Sequence, residues 1–92
     1  MPKLKATSQE VALLQIVSNV RYYSSINHIT PQKRCNIMKY SEKTDRRRMG
    51  TDNGSTQGDG KFEVEQLAAF AAAVRIPLYN LFAPLTPEEV IR

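Results

Sequence analysis

Thr30-Pro31-Gln32-Lys33-Arg34-Cys35-Asn36-Ile37-Met38-Lys39-Tyr40-Ser41-Glu42-Lys43-Thr44-Asp45-Arg46-Arg47-Arg48-Met49-Gly50 is the stretch on which the fold turns. A threonine before a proline is a helix start, because the hydroxyl accepts from a first-turn amide and proline lacks only a donor that would be unused there. A helix is therefore expected from Pro31 to about Lys39, with Cys35, Ile37 and Met38 as its core candidates. Tyr40 and Ser41 make a short turn, and Ser41 is a capping residue for a further helix that runs to Met49. Two short helices joined by a tight turn result, and the second ends in three consecutive arginines.

Upstream, Thr7, Ser8, Gln9 and Glu10 form a capping box. Leu13, Ile16, Val17 and Val20 then recur at helical spacing, with Tyr23 and Ile26 prolonging the same face until the pattern fades near Ser25 to His28. Residues 1–6 read as a flexible arm in which Lys3 and Lys5 are within reach of phosphate. Downstream, residues 50–61 hold all four glycines of the chain among threonine, serine, asparagine and aspartate. That composition predicts a long mobile loop that buries nothing.

From Glu63, a capping residue, an alanine-rich helix is expected with Val64, Leu67, Ala68, Phe70, Ala71 and Val74 on one side, Phe62 stapled onto Leu67, and Pro77 as its stop. Leu78 to Phe82 reads as one apolar helical turn broken by Pro84, and Thr86-Pro87-Glu88-Glu89 repeats the start signal. No stretch alternates as a strand does. The expected fold is all-α, a compact domain of four to five helices over residues 7–84 with a tail, 85–92.

The 92 residues enclose one modest core, and hydrophobic and charged fractions of 41% and 24% are those of an ordinary globular domain. The longest apolar run, Leu67 to Val74, is too short to span a bilayer, and no secretory pattern opens the sequence, so a cytoplasmic place is expected. One cysteine and one histidine cannot assemble a disulfide or a structural zinc site. No metal or other cofactor is implied, and no small-molecule effector. His28 has no nucleophile or carboxylate paired with it, and the glycine loop lacks the glycine-lysine-threonine arrangement of a phosphate-binding loop, so no enzymatic activity is expected.

Charge is concentrated where the fold is decided. Between Pro31 and Gly50 stand seven basic residues, Lys33, Arg34, Lys39, Lys43, Arg46, Arg47 and Arg48, against Glu42 and Asp45, a net of +5 in a chain whose total is +4. A cationic patch is either a solvated face or a surface for a polyanion. Its position favours the second, because in a helix-turn-helix the second short helix enters the major groove of DNA while the first lies across the backbone. Ser41, Glu42, Lys43, Thr44, Arg46 and Arg47 are the candidates for that groove, and Gln32 and Lys33 for phosphate at the start of the preceding helix. Arg48 is left unassigned, since three successive helical residues do not share one direction.

Over residues 16–84 the chain resembles the Cro and lambda-repressor-type (Xre-like) helix-turn-helix family, in the forms common in actinobacteria and their bacteriophages. Asn19, Val20 and Arg21 are similar to an asparagine-aliphatic-arginine triplet of that family, Thr30 to its helix-opening threonine, and Cys35 to the small residue where the two short helices cross. The run from Phe62 to Leu78 resembles the family's fourth helix and proline turn. Against the family pattern, Arg34 and Asp45 replace aliphatic residues, and Lys39 and Arg75 replace helix-ending glycines. The resemblance implies that Arg34 and Asp45 face each other as an ion pair, the alternative being that both reach solvent.

The function implied is a DNA-binding transcription regulator, a Cro-like or immunity repressor that occupies an operator in double-stranded DNA as a homodimer. Tyr79, Phe82, Leu85, Val90 and Ile91 are the candidate dimer surface. The competing expectation is a helical protein-interaction module, antitoxin-like or adaptor, on the same scaffold without specific DNA binding.

Overall fold

In the computed structural model, which describes residues 8–51 and 58–83, the first apolar series becomes helix α1, Ser8–Ile26. Ile16, Val17, Val20 and Tyr23 are buried along it, and Leu13 is half-buried. Ile26 does not prolong that face: it is 47% exposed, because α1 ends on it and the chain turns at Asn27 and His28. The capping threonine expected at Thr7, and the arm before it, lie outside the described residues.

Helix α2, Pro31–Met38, starts at Thr30, whose hydroxyl accepts from the Lys33 amide at 3.1 Å. It stops one residue short of the expected end because Lys39 is left-handed, with φ 61° and ψ 51°. In that conformation the Lys39 and Tyr40 amides both donate to the Cys35 carbonyl, at 2.7 and 3.2 Å. Helix α3, Glu42–Met49, follows immediately, with the Ser41 hydroxyl accepting from the Thr44 amide at 3.1 Å.

Helix α4, Val64–Val74, opens on a capping box in which the Glu63 amide donates to Gln66 Oε1 at 2.9 Å. Its buried stripe is Leu67, Phe70, Ala71 and Val74. Val64, 63% exposed, and Ala68, also exposed, were expected on that stripe but lie 60–100° to one side of it at about 100° per residue. The helix ends before Pro77 is reached, since Arg75 is left-handed with φ 62° and the Ile76 amide closes onto the Ala71 carbonyl at 3.0 Å. A 3-10 turn, Leu78–Leu81, completes the described chain, with Leu81 fully buried.

α4 packs on α2 and on the 3-10 turn, while α1 packs on the 3-10 turn and on α3. Met38, Met49, Leu67, Phe70, Leu81 and Val20 are among the residues that share the resulting core. Burying a side chain such as Phe70 or Leu67 completely stabilises by about 1.5–3 kcal/mol. Asn19 is buried in the same core, and its amide donates to the Leu81 and Ala83 carbonyls at 2.7 Å each. The chain after α4 is thereby tied to α1, which satisfies a polar group that would otherwise be costly to bury.

Part of the glycine-rich segment contradicts the expectation that it buries nothing. Gly60 is buried, with φ +65°, and a Cβ there would stand 2.5 Å from the Leu13 carbonyl oxygen. Glycine composition here permits close backbone approach to α1, a use that composition alone does not distinguish from flexibility. Residues 52–57 lie outside the described residues.

The architecture is thus all-helical, four α-helices and one 3-10 turn with no strand among the described residues. Its radius of gyration of 13.1 Å is near the ~12 Å of a compact chain of this length. Among the described residues no helix is long and apolar enough to cross a membrane.

Candidate nucleic-acid interface

Helix α3 divides cleanly by exposure. Asp45 and Met49 are buried, Thr44 and Arg48 half-buried, and Glu42, Lys43, Arg46 and Arg47 exposed. At 100° per residue those four exposed positions fall on one half of the helix and the buried pair on the other, with Glu42 bordering Met49. The outward half therefore carries three cations and one anion, with Glu42 one turn before Arg46 and Lys43 one turn before Arg47.

Thr44 is not brought onto that half. It stands on the flank, its Oγ1 accepting from the Ser41 hydroxyl at 3.0 Å, so Ser41 and Thr44 are occupied with starting the helix. Arg48 turns the other way, its guanidinium 5.9 Å above the Phe62 ring, which itself stacks on Tyr40 at 6.4 Å. Gln32 and Lys33 are exposed on the first turn of α2. Thr30, Gln32, Glu42 and Arg46 line one open depression of about 570 Å³, so the start of α2 and the outward side of α3 flank a common surface.

Beneath that surface lies a buried polar network. Arg34 Nε meets Asp45 Oδ1 at 2.7 Å and Nη2 meets Oδ2 at 2.8 Å, with side-chain exposures of 8% and 6%. Arg34 Nη1 also donates to the Ser24 hydroxyl at 3.2 Å, and the Tyr40 hydroxyl donates to Asp45 Oδ1 at 2.6 Å. One residue from α1, one from α2, one from the turn and one from α3 are thus joined. Burial works against the charge on Arg34, but the hydrogen bond and charge of Asp45 outweigh it and hold the guanidinium pKa above its ordinary value. Burial and the bond to Asp45 push the Tyr40 phenol well above the usual tyrosine range. Cys35, buried in α2, has its thiol raised by burial and by the Asp45 and Glu42 charges, which keeps it protonated and unreactive.

Three contributors were not legible as site residues. Ser24 and Tyr40 carry no signal beyond being polar or aromatic near a turn. Arg21, half-buried on α1, donates from Nη2 to the Met49 carbonyl at 2.7 Å, and only its membership in the Asn19-Val20-Arg21 triplet singled it out. Of the candidate dimer residues, Tyr79 is 70% and Phe82 47% exposed, while Leu85, Val90 and Ile91 lie outside the described residues. Among the described residues no group of three or more histidine, cysteine, aspartate or glutamate side chains is arranged to hold a metal ion. No protein-family model, no curated protein and no solved structure matches this chain.

Proposed function

We propose that this chain is a sequence-specific regulator of transcription that binds double-stranded DNA through α2 and α3, used as a divergent helix-turn-helix of the Cro and lambda-repressor type. The observation that carries the reading is the outward half of α3, where Glu42, Lys43, Arg46 and Arg47 are exposed together, with Glu42 and Arg46 flanking the start of α2. A helix fits the major groove, where arginine reaches both acceptors of guanine and glutamate accepts from cytosine, so a site containing G·C pairs is favoured. Gln32 and Lys33 meet phosphate at the start of α2, where free amides and the helix dipole favour an anion. Ser41 and Thr44 stand at the edge of the groove.

Acting in the bacterial cytoplasm, such a protein represses by occupying an operator that polymerase needs. Two copies suit a palindromic site, because paired reading helices meet successive major grooves. Tyr79 and Phe82, both exposed, are the described part of the surface proposed to join them. No cofactor enters the mechanism.

Binding of the whole chain to duplexes selected from a random pool, measured across salt concentrations, tests the reading. Each phosphate contact contributes about −0.9 to the log-log slope, so several cationic contacts give a steep fall. A flat response, or equal affinity for every duplex, leaves the interaction-module reading in its place.

A further inference from the structure

We infer that Arg21 is a positioning residue for α3: together with the returning backbone of Asp59 and Gly60 it sets the angle at which that helix is presented. This rests on the reading of α3 as the groove-facing element. A helix leaves its last four carbonyls without partners inside the helix. Around α3 each of them is taken. The Arg46 carbonyl accepts from the Gly50 amide at 2.8 Å, Arg47 from Asp59 and Arg48 from Gly60 at 3.0 Å each, and Met49 from the Arg21 guanidinium at 2.7 Å.

These partners come from three parts of the chain, and Arg21 stands 28 residues before Met49. A cation at that point also meets the negative end of the helix dipole. Eight residues make a helix only about 12 Å long, far below the length that holds itself together in water. Its geometry is therefore set from outside, at Ser41 by the cap, at Asp45 by Arg34, and at its far end by Arg21 with the returning segment. Gly60 seats that segment against α1 as well, beside the Leu13 carbonyl. The end of α3 is thus referenced to α1 by two routes. A reading helix loses base discrimination once its tilt departs by about 10–20°, so releasing this end costs specificity before it costs phosphate attraction.

The test compares full-length wild type with Arg21→Met and Arg21→Lys, all first checked for helical content and melting. Amide hydrogen exchange reads the clamp, and affinity for the selected duplex and for an unrelated duplex, across salt, reads its consequence. Arg21→Met is expected to speed exchange at Gly50, Asp59 and Gly60 and to weaken the selected duplex about tenfold, as one charge-assisted hydrogen bond is lost. Affinity for the unrelated duplex and the salt slope stay as in wild type, and Arg21→Lys recovers part of the specificity.

A slope shallower by about one contact makes Arg21 a phosphate ligand and overturns the inference, as does an unchanged ratio of specific to unrelated affinity. If Arg21→Met does not fold, Arg21→Lys decides by the same ratio, full specificity with faster exchange overturning the inference. Failure of the wild type to bind any duplex removes the reading of α3 and the role of Arg21 in it. Unchanged exchange in the variants, with wild-type binding intact, removes the clamp alone.

Discussion

Arg34 and Asp45 meet two-pronged between α2 and α3, at 2.7 and 2.8 Å, in a place almost closed to solvent. A paired charge in such a site stabilises little over an apolar contact, whereas a charge left alone there is costly. Arg34→Leu or Asp45→Leu alone is expected to destabilise by about 3–5 kcal/mol. The double leucine variant recovers much of that loss by supplying an apolar contact of similar size. Thermal or denaturant melts of the four proteins measure the coupling, and simple additivity of the single losses would count against the pair as an energetic unit.

Tyr40 gives the same network a pH dependence. Its phenol is held above the ordinary value by burial and by the bond to Asp45, while an unfolded tyrosine ionises near pH ~10. The unfolded chain thus releases its proton first, so the stabilisation is whole below about pH 10 and declines as pH rises above it. Tyr40→Phe is expected to flatten that alkaline decline and to cost about 1–2 kcal/mol at neutral pH, where Asp45 loses a donor. Phenolate absorbance followed through an alkaline titration checks it: the wild type shows a late-ionising tyrosine that the variant lacks.

The helix starts were legible because capping is local: Thr30, Ser41 and Glu63 each act within three residues of themselves. That the three arginines of α3 do not share one direction was legible for the same reason, since successive helical positions lie about 100° apart, but which of them turns inward was not. Arg21, Asn19 and Gly60 were not, because each serves a carbonyl or a helix far along the chain. Local pattern says that a helix end needs partners without saying which segment supplies them. Thr44, a candidate for the groove, stands on the flank of the exposed side, where its hydroxyl accepts from Ser41.

Lys39 and Arg75 hold left-handed backbone with φ of 61° and 62°, each at a helix end where glycine relieves strain. That strain is about 1–2 kcal/mol per residue, and the greater freedom of glycine in the unfolded chain returns about 0.5–1 kcal/mol of it. Lys39→Gly and Arg75→Gly are each expected to stabilise by roughly 0.5–1 kcal/mol. Both positions are exposed, so no packing offsets the gain. Denaturant midpoints at constant slope measure it. Lys39→Ala and Arg75→Ala, which keep a Cβ in the same conformation, are the controls and leave stability nearly unchanged.

The three arginines of α3 are expected to separate by function. Arg46 and Arg47 are exposed on the outward half, whereas Arg48 is half-buried over the Phe62 ring. On the proposed reading, Arg46→Ala or Arg47→Ala weakens a selected duplex by about 1–3 kcal/mol where a base is contacted. Where only phosphate is contacted, the loss is uniform across sequences and the salt slope falls by about one. Stability barely moves in either variant, since exposed arginines contribute little to folding. Arg48→Ala reverses the pattern, losing about 0.5–1 kcal/mol of stability with its cation-π contact while leaving base preference intact. Melting each variant beside its binding isotherms tells the two classes apart, and an Arg48 variant that alone changes base preference would assign the reading face of α3 to the wrong side.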